Sequence, residues 1–146
     1  MRILVANGPN LDLLGQRESE HYTQITLSDL EKNLVAFAKQ LEIWLKISIE
    51  LECYQFNYEG DFCAKLSEKP WSGIILNPAA WTHTSLVIAD RMAALKIPFV
   101  EVHLSNLSKR ESFRRKSYTA PLANGVIYGL GELSYQAGLL ALVKSI

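Results

Sequence analysis

The sequence predicts an α/β protein, a three-layer doubly wound sandwich built around a five-stranded parallel sheet. Short apolar runs rich in β-branched residues alternate along the chain with segments whose apolar residues recur at helical spacing. Strands that alternate with helices form right-handed βαβ units, and these units build a parallel sheet. The length of 146 residues is close to the roughly 150 of one domain, so we expect a single domain over residues 1–146.

The strands are predicted from five short apolar runs, each bounded by turn-forming residues. The first run, ILVA, stops at Asn-Gly-Pro-Asn, which is typical of a buried parallel strand entering a loop. The five predicted strands cover residues 3–6, 47–54, 73–76, 99–102 and 125–128. We expect them in the order 2-1-3-4-5, which is the flavodoxin-like arrangement.

Four helices are predicted between or after these strands. The first begins near residue 27, because apolar residues three, four and seven apart share one face: Leu27, Leu30, Leu34, Phe37, Leu41 and either Trp44 or Leu45. Thr26 and Ser28 are its candidate N-caps, since acidic residues follow each of them by three positions. The other helices are predicted at 62–66, 85–95 and 134–145. In the second of these, Leu86, either Ala89 or Asp90, and Ala93 share one face.

Two connections are longer than the roughly two to six residues usual between a strand and a helix. The first runs for about twenty residues after Asn7, and its Gly and Pro punctuation favours an ordered or lid-like segment over a disordered one. The second covers residues 104–124. Ser108 and Glu111 have the spacing of a capping box, so we expect one short helix there.

Composition excludes several classes of protein. Fifteen basic and 15 acidic side chains cancel, so binding to nucleic acid through bulk charge is disfavoured. Within the basic cluster at 109–116 we expect two arginines to face a pocket and the rest to face solvent. No apolar run reaches 18 residues and no signal peptide is recognisable, so we expect a cytoplasmic protein without membrane contact. Cys53 and Cys63 lack metal or CxxC spacing and are expected to be reduced thiols.

Polar residues follow the predicted strands, and ligands of open parallel sheets bind beyond the carboxyl ends of the strands. The residues at these ends are Asn7, Asn10, Gln55, Asn57, Glu59, Asn77, Thr82, His83, Thr84, Glu101, His103, Ser105 and Asn106. Neutral hydrogen-bonding groups with two histidines and nearby basic side chains suit a polyhydroxylated, anionic small molecule.

Other chemistries lack their motifs. The chain has no GxGxxG, no GxxxxGK[ST] and no GxSxG sequence. Its three histidines, His21, His83 and His103, lack metal-ligand spacing. Asn7 stands where a phospho-acceptor regulator of similar topology needs an acidic residue.

Four blocks of sequence strongly resemble the type II 3-dehydroquinate dehydratases. The blocks are NGPNLDLLGQRE with Tyr22 (7–22), NPAAWTHTS (77–85), PFVEVHLSN (98–106) and RESFRRKSY (110–118), and they occur in family order over essentially the whole chain. The resemblance implies a flavodoxin-like fold and the reversible dehydration of 3-dehydroquinate to 3-dehydroshikimate, by anti elimination through an enolate. It also implies that no metal or other cofactor takes part, and that the chain forms a homododecamer, a tetramer of trimers.

The resemblance also implies the chemical roles. Tyr22 is similar to the base that removes the proton alpha to the ketone, and Arg17 to its activating cation. A tyrosine with a pKa near 10 is a weak base at neutral pH, but a cation about 4 Å away supplies roughly 4 kcal/mol, enough to lower that pKa by about 3. His103 resembles the acid that protonates the departing hydroxyl, with Glu101 as its orienting partner.

The remaining matched positions surround the substrate in the family. Asn10, with the backbone around Asn77 and Ala79, resembles the group that holds a water against the enolate oxygen. The positions that match substrate-binding groups are Leu104 and Ser105 for the carboxylate, Asn77, His83 and Arg114 for the ring hydroxyls, Arg110 on the lid side, and Asp90, which in the family commonly reaches the site of a neighbouring subunit.

Departures from the family pattern lie next to these positions. Phe56 and Tyr58 stand in the block after the second strand, and Trp81 replaces a smaller aromatic residue. Ala79 replaces a glycine, so it must shift or bear strain if that glycine has a positive φ. Two other functions remain open: a catalytically idle oligomeric binding protein, and a flavin or nucleotide carrier of similar topology.

Overall fold

The computed structural model describes residues 1–16 and 25–146, and within them it contains one parallel sheet of five strands. The strands are β1 (Arg2–Asn7), β2 (Glu50–Gln55), β3 (Gly73–Asn77), β4 (Phe99–His103) and β5 (Gly125–Tyr128). Their order is β2-β1-β3-β4-β5, and each neighbouring pair is parallel. The predicted fold class and strand order are both confirmed.

Four helices cover the two faces of the sheet: α1 (Leu27–Leu45), α2 (Glu59–Leu66), α3 (Leu86–Leu95) and α4 (Leu133–Ser145). Alternate strand residues such as Ile3 and Val5 face α1 and α4, where they form one apolar core. Leu4 and Ala6 point the other way, towards α2 and α3, and form the second core. This period of two along buried strands is what makes the structure a three-layer sandwich.

Helix α1 begins and ends where its local chemistry requires. The Thr26 hydroxyl accepts from the Asp29 N–H at 3.1 Å and the Asp29 carboxylate accepts from the Thr26 N–H, so Thr26 is the N-cap and Ser28 is not. At the other end Lys46 turns into the left-handed region and stops the helix. Leu45 rather than Trp44 packs against the core. Strand β2 begins at residue 50 instead of 47, because its pairing with β1 starts only at Arg2.

Two helix predictions need correction. Helix α2 begins at Glu59, three residues before the predicted start, with Tyr58 as its N-cap. Helix α3 buries Ile88, Ala89 and Met92, whereas Leu86, Asp90 and Ala93 are exposed. The Ser85 hydroxyl caps α3 by accepting from the Ile88 N–H. Because Ser85 is buried, Ile88 and Met92, which lie three and seven residues after it, face the sheet.

The long connections contain short 3₁₀ turns. One covers Leu11–Leu13, and the second connection holds three turns, at Leu107–Lys109, Ser112–Arg115 and Ala120–Leu122. The predicted capping box is wrong, because the N-cap of the first of these three turns is Asn106 and not Ser108: the Asn106 side chain accepts from the Ser108 N–H at 3.0 Å.

Candidate active site

A cavity of about 260 Å³ lies at the carboxyl ends of β1, β3 and β4. Its walls come from the stretches 9–14, 77–83 and 103–107, joined by Arg110 and Arg114. In this strand order β2 lies on one side of β1, and β3 lies on its other side. The strand order therefore reverses between β1 and β3, and the cavity lies at this switch point of the sheet. The cavity is therefore where an open parallel sheet of this order is expected to bind a ligand.

The loops after β1 and β3 touch each other at the edge of the cavity. The Gly8 N–H donates to the Asn77 carbonyl at 2.7 Å. A Cβ atom at residue 8 would lie 2.5 Å from the Pro78 carbonyl oxygen, so only glycine permits this approach. The contact brings Asn10 and the turn after β3 to the same side of the cavity.

The residues after β2 support the β1 loop and do not line the cavity. The Gln55 amide donates to the Gly8 carbonyl and to Asn57 Oδ1, and the Asn57 amide donates to Asp12. Asn57 Oδ1 also accepts the Asn10 N–H at 2.9 Å. This contact holds Asn10 in a left-handed conformation with φ of 64° at the cavity wall.

A neutral polar network lies beneath the cavity on the α1/α4 face of the sheet. The Asn77 amide donates to the Tyr135 hydroxyl at 2.6 Å, and that hydroxyl donates to Asn7 Oδ1 at 2.7 Å. All three residues are buried, and burial raises the pKa of Tyr135 well above its usual value, so the hydroxyl stays protonated. Within the described part of the chain, Asn7 Nδ2 is buried without a hydrogen-bond partner.

Asn77 also shapes the turn at Ala79, the residue that replaces a glycine of the family pattern. Its Oδ1 accepts the Ala79 N–H at 3.1 Å, and Ala79 has a φ of 50°. The alanine thus adopts the positive φ and bears the strain, instead of shifting to another conformation. For a residue with a Cβ atom this costs roughly 1–2 kcal/mol.

A charged network lies on the α2/α3 side of the same cavity. His103 Nε2 is 2.7 Å from Glu101 Oε1, and the Glu101 carboxylate is fully buried. The hydroxyls of Thr82 and Thr119 donate to this carboxylate at 2.7 and 2.6 Å, and Ser117 lies 3.2 Å away. Burial alone would raise the pKa of Glu101, but the hydrogen bond and charge of His103 and the two threonine hydroxyls lower it below its usual value.

Both cavity histidines have their tautomers fixed by acceptors. A carboxylate in its ionised form can only accept, so His103 carries a proton on Nε2 and presents Nδ1 as its other ring nitrogen. The Lys116 carbonyl, 2.6 Å from His83 Nδ1, is also an acceptor only. His83 therefore carries its proton on Nδ1, and its Nε2 can accept from a ligand hydroxyl.

Two arginines of the basic cluster line the cavity, and the cluster's other cations are exposed, as predicted. Arg110 Nε donates to Glu111 Oε2 at 3.2 Å. Arg114 Nε is 3.3 Å from the same oxygen but is not aligned for a hydrogen bond. The pKa of Glu111 is lowered, first by its own backbone N–H and then by these arginines. Both guanidinium groups are thus positioned as anion-binding groups at the cavity wall.

The other predicted site residues fall into three groups. Leu104 and Ser105 follow His103 and line the cavity. Asp90 lies on the exposed face of α3 and is not part of this cavity, so its role in a neighbouring subunit stays a prediction. Tyr22 and Arg17 lie outside the described residues.

Sequence reasoning missed Tyr135, Ser117 and Thr119. None of them follows a strand, and each reaches the site from a distant part of the chain. One signal in the sequence could have indicated them. Asn7 and Asn77 end neighbouring buried strands, and Glu101 lies inside another. Buried polar side chains of this kind need hydrogen-bond partners from elsewhere in the chain.

The rest of the described chain offers little for metal or thiol chemistry. Across residues 1–16 and 25–146, no group of three or more His, Cys, Asp or Glu side chains is arranged to hold a metal ion. Burial raises the pKa of the Cys53 thiol to about 12, so it is not a nucleophile near neutral pH. In the same ranges no helix is both long and apolar enough to cross a membrane.

Fold and site together define an α/β protein with a polar cavity, lined by two arginines and two histidines, at the switch point of a parallel sheet. Comparison with known proteins gives the family. Residues 1–143 match the family model for class II dehydroquinases. The chain therefore belongs to the class II dehydroquinase family.

Relatives with assigned names match over nearly their whole length. A 3-dehydroquinate dehydratase of Geotalea daltonii is 47% identical over 100% of this chain and 99% of the relative. That of Haemophilus influenzae is 45% identical over 95% of this chain and 91% of the relative. The crystal structure of a type II dehydroquinase from Butyrivibrio crossotus has a TM-score of 0.91 and 39% identity, and covers 98% of this chain and 97% of that chain.

Proposed function

We propose that the protein catalyses the reversible dehydration of 3-dehydroquinate to 3-dehydroshikimate, a step of the shikimate pathway towards aromatic amino acids. The observation that carries this proposal is the buried Glu101–His103 pair at a cavity that also presents two arginines and a tautomer-fixed His83. Such a cavity offers a proton donor and anion-binding groups to a small hydroxylated acid. The named relatives are 3-dehydroquinate dehydratases, which fits this chemistry.

The substrate is held by its carboxylate and ring hydroxyls. Leu104 and Ser105 bind the carboxylate, largely through backbone N–H groups that follow β4. His83 Nε2 accepts a hydrogen bond from one ring hydroxyl, since its Nδ1–H is already donated to a carbonyl. Asn77 and Arg114 hold the other hydroxyls, and Arg110 binds from the lid side. These contacts fix the ring between the base and the acid.

Elimination begins at the carbon alpha to the ketone. Tyr22, with Arg17 as its cation, removes the proton, and both residues lie outside the described part of the chain. Negative charge then develops on the ketone oxygen as an enolate. A water held by Asn10 and the backbone around Asn77 and Ala79 stabilises that oxygen, as an oxyanion hole does.

Collapse of the enolate expels the hydroxyl group on the opposite face of the ring. Hydroxide is a poor leaving group, so the departing oxygen must receive a proton as the bond breaks. His103 donates that proton from Nδ1, because its Nε2–H is held by Glu101. Tyr22 and His103 thus carry out an anti elimination, and water is the second product.

The active assembly is a homododecamer, a tetramer of trimers, in the cytoplasm, and the reaction uses no metal or other cofactor. Within this assembly Asp90 of one subunit closes the site of its neighbour. The exposed position of Asp90 on α3 leaves it accessible for such a contact. The proposal involves no nucleic acid and no membrane.

The test is to mix the purified protein with 3-dehydroquinate and follow the ultraviolet absorbance of the enone product. We expect the absorbance to rise, and to rise equally after treatment with a chelator. No signal from folded protein would overturn the proposal and favour an idle binding protein. A chelator-sensitive signal would overturn only the metal-free part of it. A yellow purified protein would instead support a flavin carrier.

A further inference from the structure

We propose that Thr82, Ser117 and Thr119 are positioning residues whose hydroxyl groups keep the proton of the buried Glu101–His103 pair on the histidine. We name the three side chains the hydroxyl cage. The proposal rests on the proposed function in one respect, that His103 is the acid of the dehydration. It adds a mechanism by which the chain keeps that acid charged inside a buried site.

The hydroxyl cage contacts both oxygens of the carboxylate. Oε1 of Glu101 lies 2.7 Å from Thr82 Oγ1, on the same oxygen that meets His103. Oε2 lies 2.6 Å from Thr119 Oγ1, and the Ser117 hydroxyl is 3.2 Å from Oε1. Glu101, Thr82 and Thr119 are all fully buried, so water does not compete for these contacts.

The direction of the hydrogen bonds follows from the backbone. Ser117 Oγ accepts the N–H groups of Thr119 at 3.1 Å and Ala120 at 2.8 Å. With both lone pairs engaged, its own proton must be donated, and Thr82 Oγ1 is the nearest acceptor at 2.7 Å. Thr82 then donates to Glu101. Thr82 and Thr119 thus donate to the carboxylate, and Ser117 orients Thr82 by donating to it, before any ligand binds.

The cage decides between two positions for one proton. If the proton is on His103, the site holds an imidazolium and a carboxylate; if it is on Glu101, both groups are neutral. Burial favours the neutral pair, because taking two charges out of water is costly. Hydroxyl donors stabilise only the carboxylate and so favour the ion pair. Both arrangements keep a proton on His103 Nδ1, but only in the ion pair does that proton belong to an imidazolium, which is a far stronger acid than a neutral imidazole and can protonate a departing oxygen.

Other groups near the pair do not replace the cage. Opposite Glu101 in the sheet lie Leu76 of β3 and Val126 of β5, which carry no charge. Among residues 1–16 and 25–146, the ionisable side chains that line the cavity beside the pair are His83, Arg110 and Arg114. The two arginines contact Glu111, and no hydrogen bond joins either of them to Glu101 among the contacts of the described residues.

The test replaces a hydroxyl by a methyl group of the same shape. Thr119→Val is the main variant, Thr119→Ser restores the hydroxyl, and Ser48→Ala is the control that removes an exposed hydroxyl before β2, at the end of the sheet away from the cavity. We expect Thr119→Val to lower kcat about 10-fold, the effect of losing one hydrogen bond to a charged group, while KM changes less than about 2-fold. Thr119→Ser should recover most of kcat, and Ser48→Ala should match the wild type.

The position of the proton is measured directly by nitrogen NMR of protein labelled in its histidines. The chain has three histidines, so His103 is assigned by its loss in His103→Gln. At a pH where the pair holds its shared proton, the wild type should show an imidazolium at His103. Thr119→Val should show a neutral imidazole. An unchanged imidazolium in Thr119→Val, or no recovery in Thr119→Ser, would overturn the proposal.

A second variant and an independent signal keep the outcome decisive. If Thr119→Val does not fold, Thr82→Val removes the donor to the other oxygen and should give the same two changes. The NMR measurement needs no turnover. If the wild type fails to dehydrate the substrate but the proton moves in Thr119→Val, the proposed function fails and the cage stands. If the wild type turns over normally but the proton stays on His103 in Thr119→Val, the role of the cage is rejected and the proposed function stands.

Discussion

Two buried polar networks meet the same cavity from opposite faces of the sheet, and they differ in charge. The Glu101 network contains an ionised carboxylate that accepts hydrogen bonds from His103, Thr82 and Thr119. The Asn7–Tyr135–Asn77 network is neutral, with two hydrogen bonds in a chain. The side chains named in both networks are buried.

The difference shows what each kind of buried group requires. The carboxylate has partners on both oxygens, because an unpaired buried charge costs far more than an unpaired amide. The neutral network leaves Asn7 Nδ2 without a partner among the described residues. In the proposed mechanism the charged network serves proton transfer, whereas the neutral network includes Asn77, whose Oδ1 accepts the Ala79 N–H and shapes the turn there.

The largest expected effect comes from removing the charge. Glu101→Gln keeps the shape of the side chain but cannot stabilise an imidazolium at His103. We expect kcat to fall about 10²- to 10⁴-fold, the usual contribution of a positioned acid. Steady-state kinetics would measure this, with Glu50→Gln at the exposed sheet edge as the control. A loss below about 3-fold would show that the charge is not needed.

Tyr135→Phe breaks the neutral network instead. It leaves Asn7 Oδ1 and Asn77 Nδ2 without their partner, so the free energy of unfolding should fall by about 1–3 kcal/mol. Denaturant unfolding measures this, and Tyr58→Phe at an exposed tyrosine is the control. We expect kcat to change much less than in Glu101→Gln. A loss of kcat as large as that one would contradict the division of roles.

Acid should separate the two networks by stability. The folded-state pKa of Glu101 is lowered from its usual 4.5, so its contribution is fully present above about 4.5 and is lost as pH falls through the folded value. The wild type should therefore lose stability relative to Glu101→Gln below about pH 4.5, by at most about 1.4 kcal/mol per pH unit. Tyr135 stays neutral in this range, so the difference between wild type and Tyr135→Phe should stay constant. Denaturant unfolding from about pH 7 to about pH 3 checks both.

The smallest effect concerns the strained turn above the neutral network. Ala79→Gly relieves a positive φ of 50° and should raise the free energy of unfolding by up to about 1 kcal/mol. Ala80→Gly, one residue further on, gains no such relief and should lower it by about 0.5–1 kcal/mol. Denaturant unfolding of the two variants side by side measures this. If both are destabilised alike, the strain at Ala79 is absent.

The sequence predicts one network better than the other, for a physical reason. Glu101 and His103 lie two residues apart on one strand, so alternation alone places them on the same side at the sheet edge. Tyr135 is 128 residues from the Asn7 it contacts, and no local pattern encodes that distance. The prediction for α3 was wrong for a related reason: helical spacing predicted a buried face through Leu86 and Ala93, whereas the structure buries Ile88 and Met92 behind the cap at Ser85.

The most direct test of the account is a crystal structure of Tyr22→Phe with 3-dehydroquinate bound. Removing the base should stop turnover and trap the substrate. We predict that the departing hydroxyl lies within hydrogen-bond distance of His103 Nδ1, while Nε2 stays hydrogen-bonded to Glu101 and the substrate carboxylate accepts from the N–H groups of Leu104 and Ser105. A substrate bound with that hydroxyl away from His103, or a Tyr22→Phe variant with full activity, would contradict it.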